Sequence, residues 1–509
     1  MRKLRDWAAY LVAAAVLLPQ AGKAFHIDDA NFLAMARIIQ EHPLRPYGGA
    51  SASNPPGAPW LLGALMAVFG DSELALHLLL LPFTFLAIFA MRAAARELGV
   101  RDPWAAALLF VCSGCVLLPA TTLMPDVPMV AAVMGAAALL WSDAREPRAW
   151  KIAAASGLFA VGWTLRISAV PVLALMAVVQ LSQRRWRAAI PLFALAAAFA
   201  AWTLLSRQPQ AAGVQSLGTA QTVTTAALHG SWGQFFLWRL LSTSAALALF
   251  SAAALAALLL KPSRPLLEIA ALVLFALATS GDYPRPLVGA GTLLFALARL
   301  RLPARDRDSI LLWLWFFGAL AVPLLYNQAA AKFVALALPP ILLLILRGQD
   351  AKPARVWACA AVTLVITIAA CIDDLRYANA LREVTYAQVA AARAEARHVY
   401  VAGTPWGAQE YARRAGAVFL WDEVKPGSPS GAAVQPGDEL LDLSSPGSLG
   451  IPEGAAALVQ EGTIEDPLPI RTMSQRAGLW SSHLGLVPWV ISSGPLQPWW
   501  RVRILKPLK

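Results

Sequence analysis

Charge is scarce in this chain: Asp, Glu, Lys and Arg make up only 14% of its 509 residues, where a soluble chain of this length carries roughly a quarter. The 58% of residues that are hydrophobic gather in blocks near the length that crosses a bilayer, which excludes an ordinary soluble fold and indicates a polytopic membrane protein. Cysteine is also scarce. Cys112, Cys115, Cys359 and Cys371 all lie within or at the edge of apolar segments, so no disulfide framework is implied. The C-x-x-C at Cys112 and Cys115 has no second pair and reads as small buried hydrophobes. No internal repeat is visible. The net charge of +12 invites a nucleic-acid partner, but from Asp373 onward there are 13 Lys/Arg against 14 Asp/Glu. The excess therefore belongs to the apolar part, where it falls in short loops as orientation signals do.

The basic start, M-R-K-L-R-D-W, leads into a first apolar run that ends near Ala24 without a convincing small-residue cleavage site. It reads as a retained span with a cytoplasmic N-terminus. Further apolar blocks lie at 73–91, 104–121, 126–142, 150–164, 166–182, 188–206, 239–260, 266–280, 286–300, 309–326, 332–347 and 355–372, giving about thirteen spans. That number puts 21 of the 29 basic residues before Asp373 at the N-terminus or in cytoplasmic loops, as the positive-inside rule requires. Eight basic residues are left without an orientation role: Lys23, Arg37, Arg45, Arg166, Arg207, Arg239, Arg285 and Lys332.

The same topology gathers several charged residues on the outer side. Asp28 and Asp29 follow the first span, before a Gly/Ser/Asn/Pro run that ends in N-P-P-G at Asn54–Gly57. Paired carboxylates at the end of a span are costly unless they meet water, a metal, a cation or a substrate, although an Asp there can also cap a helix. Asp126, flanked by Pro125 and Pro128, opens the fourth span and carries the same two readings. Arg166, in T-L-R-I, sits at an outer turn between two apolar blocks, and Lys332, in A-A-A-K-F, at the outer start of a span. Cations at that depth suit an anionic group such as a phosphate, or they snorkel to the interface. Residues 373–509 change character to a charged Ala-rich helix over Leu375–Arg397 and then alternating short strands and a helix ending at Gly416. They read as an extracytoplasmic α/β domain with no phosphate-binding glycine motif, nucleophile elbow or metal-ligand cluster.

The acid pair after the first span, the P-P loop before the second, an Asp opening the fourth and the outer C-terminal domain together resemble the GT-C membrane glycosyltransferases. Among these the chain is most similar to glycosyltransferase family 39, which includes protein O-mannosyltransferases and lipid A aminoarabinose transferases. The resemblance implies a GT-C catalytic domain over 1–372. It implies inverting transfer of one sugar from a polyprenyl-phosphate carrier to an envelope glycan, lipid or protein on the outer side of a bacterial-type inner membrane. It further implies that Asp28, Asp29 and Asp126 are catalytic, with Asp28 and Asp29 acting on the acceptor or holding a divalent metal cation. Arg166, Lys332 and Asn54 would bind the donor phosphate. Asn54 stands where aminoarabinose transferases have a Lys, and it brings a hydrogen-bond donor but no charge. A chain cut after Cys371 is then expected to keep its donor site. The rival is a transporter or flippase of lipid-linked saccharides, which would show repeats or charges at mid-membrane depth.

Overall fold

The computed structural model describes residues 2–43, 55–206, 232–260, 306–325, 330–347, 351–395, 399–402, 407–419, 439–444, 456–464, 468–473, 477–480, 487–491 and 500–507. Its membrane part opens with α1 (Arg2–Leu17), α2 (Asp29–Glu41), α3 (Gly57–Phe69), α4 (Glu73–Glu97), α5 (Pro103–Cys112) and α6 (Gly114–Leu117). The chain continues through α7 (Asp126–Arg145), α8 (Ala149–Leu165), α9 (Val170–Ser182), α10 (Trp186–Ser206), α11 (Trp232–Leu249) and α12 (Ala253–Leu260). After α13 (Arg307–Leu325), a 3-10 segment (Ala331–Leu336) leads into α14 (Leu338–Leu346) and α15 (Pro353–Ala394). Among the described residues α4, α7, α13 and α15 are long and apolar enough to cross a membrane, and α5–α6 makes a fifth as a broken pair. This is an integral membrane protein.

Several elements differ from the sequence expectation. The expected spans at 266–280 and 286–300 lie outside the described residues, so the count of thirteen is not reached here. The block 104–121 is bent by 69° at Ser113, and the block 239–260 breaks between Leu249 and Ala253. The last span does not stop at Cys371: α15 runs unbroken across the boundary drawn at 372/373, because the Ala-rich charged segment continues the helical pattern without Gly or Pro. α3 is an additional helix.

The two breaks complete each other. In an apolar layer every backbone N–H and C=O must be partnered within the protein. At the α5–α6 break the Ser113 hydroxyl donates to Leu109 O at 2.9 Å and accepts from Ala252 N at 2.9 Å, while Cys115 N donates to Phe250 O at 3.2 Å. Gly114 permits this approach, since a Cβ there would lie 2.3 Å from the Phe250 ring.

Among the described residues, one end of the bundle gathers the basic loops. Arg5 pairs with Asp102 at 3.6 Å, Arg92 with Asp6 at 3.1 Å and Arg145 with Glu97 at 3.5 Å, while Arg185 reaches Asp143. Trp7, Trp150, Trp186 and Trp357 are exposed at the starts of α1, α8, α10 and α15 on this same end, as an interfacial aromatic belt is. The end of α1, the start of α7 and the end of α8 lie at the other.

Beyond α15, β1 (Val399–Ala402), α16 (Ala408–Ala415) and β2 (Val418–Phe419) form a parallel crossover unit. They are followed by β3 (Glu439–Ser444), β4 (Ala456–Ile464), β5 (Ile470–Arg471), β6 (Val490–Ile491) and β7 (Trp500–Pro507). The five-stranded sheet has the order β2-β1-β3-β7-β4, with β7 antiparallel to both neighbours, and β5 pairs with β6 separately. Gly416, at φ +74°, ends α16 in the left-handed region. Glu410 on α16 accepts from Arg37 of α2 at 2.8 and 2.9 Å, and the Tyr411 hydroxyl accepts from Phe25 N. The helix is thereby fastened both to α2 and to the segment between α1 and α2.

Replacing Gly114 by Ala should lower the thermal midpoint of the detergent-solubilised protein, with a loss of about 1–3 kcal/mol from overpacking. Adding Phe250→Leu should recover most of it. A midpoint unmoved by Gly114→Ala would show that the two breaks do not interlock.

Candidate functional site

Among the described residues, three of the cations without an orientation role, Lys23, Arg166 and Lys332, are paired with acids at the end of the bundle away from the basic loops. Asp28 immediately precedes α2 but makes no capping bond with its side chain. Its carboxylate instead accepts from Lys332 Nζ at 3.0 Å. Asp126, the first residue of α7, turns its carboxylate to Arg166 Nη1 at 2.7 Å. Capping therefore explains neither acid. Lys332 and Arg166 are buried and do not extend to the interface. Phe333 lies beneath both cations, with Arg166 Cζ 5.1 Å and Lys332 Nζ 5.8 Å from the ring centroid.

Both cations keep donors to spare. Lys332 has three N–H groups and Arg166 five, yet Lys332 contacts only Asp28 and Met124 Sδ, and Arg166 only Asp126, among the hydrogen bonds of the described residues. Asp28 is the accessible acid of the cluster, with its side chain 44% exposed while that of Lys332 is 2% exposed. With Lys332, Arg166, Asp126 and Asp29 all buried beside it, the half-exposed Asp28 carboxylate lies in a recess and not on the open surface. Burial pushes its carboxyl up, but the Lys332 ammonium and, more weakly, Arg166 outweigh that and hold it below the usual carboxylate range.

Asp29 has a different setting. It is fully buried, with Oδ2 accepting from His26 N and Oδ1 from Leu123 N, both at 2.9 Å. Burial raises its carboxyl to about 7, against the backbone hydrogen bonds and the Lys23 charge. It ties the loop after α1 to the loop before α7. Between His26 and Asp28, Ile27 sits at φ +53°, a region that a β-branched side chain occupies only under strain.

A second array, not foreseen from the sequence, lies directly behind this loop. Asp374 of α15 is buried and accepts from three side chains: Lys23 Nζ, His26 Nε2 at 3.0 Å and Trp480 Nε1 at 2.8 Å. Lys23 Nζ also donates to Thr121 Oγ1 at 2.9 Å. A carboxylate can only accept here, so the His26 proton is on Nε2. Burial, more than any neighbour, lowers the tendency of His26 to protonate. Asp373, next in chain, accepts from Thr472 N at 2.7 Å, and Ala331 N donates to Leu479 O at 2.8 Å. The ring of Trp480 lies 5.6 Å from Lys332 Nζ. Asp374, Leu479 and Trp480 all come after Cys371, and they hold Lys23, His26 and the segment that carries Lys332. The signal available in the sequence was a second adjacent acid pair, Asp373–Asp374, at the end of an apolar block.

Asn54 lies outside the described residues. Its neighbour Gly57 begins α3 against α8, where a Cβ would come within 2.6 Å of the Thr164 backbone, two residues before Arg166. As for a divalent cation, Asp28 is engaged by Lys332 and both oxygens of Asp29 are taken by backbone N–H groups. Among the described residues no three His, Cys, Asp or Glu side chains converge as ligands. Among the described residues, the donor set around the acid pair does not fit a chelated metal.

No protein-family model matches the chain, and no curated protein does. The structure is similar to that of ArnT from Cupriavidus metallidurans bound to undecaprenyl phosphate, at 12% identity and a TM-score of 0.46, over 87% of this chain and 92% of that one. It is also similar to the apo state of the same ArnT, at 13% identity and a TM-score of 0.42, over 86% and 92%.

The raised Asp29 carboxyl has a consequence for stability. A group whose folded value exceeds its unfolded one favours folding below the unfolded value, and that stability is lost as pH rises through the folded value. The thermal midpoint in detergent should therefore fall as pH rises from about 4 to about 7, and Asp29→Asn should flatten this stretch of the profile. A wild-type slope retained in Asp29→Asn would assign the titration to another group.

Proposed function

We propose that the protein transfers a single sugar from a polyprenyl-phosphate carrier to a hydroxyl acceptor at the outer side of the membrane, with inversion at the anomeric carbon. The observation that carries this reading is the meeting of two buried cations with spare donors and one accessible carboxylate in a single recess. That recess lies at the bundle end opposite the basic loops. By the positive-inside rule the basic end is cytoplasmic, so the recess opens where a lipid-linked donor presents its phosphate outside the cell. Residues 1–372 form the catalytic membrane domain in this reading, and the segment after it supports the recess from the outer side.

Lys332 and Arg166 hold the donor phosphate, whose negative charge grows as the glycosidic bond breaks; positioned cations stabilise that charge in the transition state. Asp28 faces the acceptor. Free of substrate, it is a weak base because Lys332 neutralises it. A donor phosphate drawing the Lys332 ammonium away removes the cause of that depression, and the recessed Asp28 carboxylate then becomes a stronger base for the acceptor proton. The site thereby becomes competent only when loaded with donor. Asp126 fixes Arg166, and Asp29 fixes the loop that carries Asp28.

Asp28→Asn should reduce transfer at least about 100-fold while the protein still inserts and purifies as wild type. The assay uses purified protein, labelled polyprenyl-phosphate sugars and envelope extract, with no membrane gradient; turnover without a gradient distinguishes transfer from transport. Near-normal transfer by Asp28→Asn would remove it from the chemistry. Lys332→Met should weaken binding of a polyprenyl phosphate. Arg166→Ala alone leaves Asp126 buried and unpaired, a loss of about 3–5 kcal/mol. Arg166→Ala with Asp126→Asn should recover stability but not phosphate binding, and recovered binding would show that Arg166 acts only as a structural partner.

A further inference from the structure

We infer that Asp374, on the continuous helix α15, is a positioning residue that fixes the Lys23–Asp29 loop and thereby sets which carboxylate of the acid pair faces the recess. The inference rests on the proposed transfer reaction only for its kinetic arm.

The loop is short and held at both ends. At its start Lys23 and His26 both donate to Asp374. At its end the Asp29 carboxylate accepts from His26 N and Leu123 N. His26 belongs to both sets, through its ring on one side and its backbone N–H on the other. Between the two anchors Ile27 occupies the left-handed region at φ +53°. A β-branched residue stays there only where its surroundings over-determine it, and the anchors at Asp374 and Leu123 supply that constraint. If the first anchor is released, Ile27 is free to return to negative φ. Such a change rotates the peptide between His26 and Asp28, so the His26 N–H no longer points at Asp29 and Asp28 turns relative to Lys332.

Trp480 enters as the third donor to Asp374, at 2.8 Å. Its ring packs edge-on against His26, with centroids 6.0 Å apart, and faces Lys332 Nζ at 5.6 Å. The segment Ala477–Trp480 is thus wedged between the two halves of the site, fixing His26 on one side and Lys332 on the other, and Ala331 N is bonded to Leu479 O. The geometry of the recess depends on this segment being seated, although it lies more than a hundred residues after Asp374 in the chain.

The test reads carboxylate accessibility directly. The full chain in detergent is treated with a water-soluble carbodiimide and a small amine, and labelled carboxylates are located by mass spectrometry. In the wild type Asp28 should label, whereas Asp29, Asp126 and Asp374 should be protected. Asp374→Asn and Trp480→Phe should each raise labelling of Asp29 several-fold while Asp126 stays protected, the sign of a local release and not of unfolding. Where transfer is measured, the same variants should lose turnover about tenfold with little change in the donor KM. Asp29 protected as in the wild type in these variants would overturn the inference, as would equal exposure of Asp126. If Asp374→Asn is not monodisperse, Trp480→Phe decides, since it leaves Asp374 in place and keeps an aromatic ring there, although a smaller one, while removing the Nε1–H donor. Absence of transfer by the wild type counts against the proposed reaction alone, because the labelling pattern does not depend on turnover.

Discussion

A charge withdrawn from water at the end of an apolar bundle must be paired, and this requirement shapes the site more than any other interaction. Removing one partner of a buried pair leaves an uncompensated charge and costs several kcal/mol. Three cations meet three acids here: Lys23 with Asp374, Lys332 with Asp28, and Arg166 with Asp126. Two of these pairs join residues more than three hundred positions apart. The pairing therefore brings the end of α1, the start of α7, the end of α8, the 3-10 segment and the middle of α15 to one level. Attraction to fixed partners orients the side chains before any substrate arrives, which is what electrostatic stabilisation of a developing charge requires.

The loop before α7 is where these pairs are joined. Thr121 accepts from Lys23, Leu123 N donates to Asp29, Met124 meets Lys332, and Asp126 holds Arg166. Four residues within the stretch Thr121–Asp126 thus contact Lys23, Asp29, Lys332 and Arg166. Proline at Pro119 and Pro125 interrupts helix on either side, leaving backbone N–H groups free to serve the Asp29 carboxylate. The two acids of the pair have different surroundings as a result. Asp28 is ionised, accessible and opposite a cation, whereas Asp29 is enclosed and satisfied by backbone donors.

The segment after α15 is not an appendage to this arrangement. α16 is fastened to α2 through Glu410 and Arg37, and to the loop after α1 through Tyr411. Burial pushes the Glu410 carboxyl up, but hydrogen bonds from Arg37, Arg413 and Arg414 outweigh it and hold it at about 2. Phe25 stacks on the Tyr411 ring at 6.4 Å, and Gly407, at φ +93°, approaches the Phe25 carbonyl so closely that a Cβ would lie 2.7 Å from it. The segment bearing the acid pair is consequently packed between membrane helices and the chain that follows them.

The sequence by itself determined the membrane class, the apolar segments and the separation of basic loops from the charges at the other end of the bundle, since these follow from local composition and from alternation along the chain. It also singled out Asp28, Asp126, Arg166 and Lys332, because a charge at the edge of an apolar block stands out against its neighbours. It did not indicate the partner each charge takes. That is why Lys23 stood among eight unexplained cations, and why His26, Trp480 and the pair Asp373–Asp374 carried no assignment. The breaks at Ser113 and after Leu249 were hidden for the same reason: each accepts a hydrogen bond from a backbone N–H of the other. Apolar periodicity is a property of a few consecutive residues, whereas the pairing of a buried charge depends on distances of a few ångströms between segments hundreds of residues apart, and only the tertiary structure sets those.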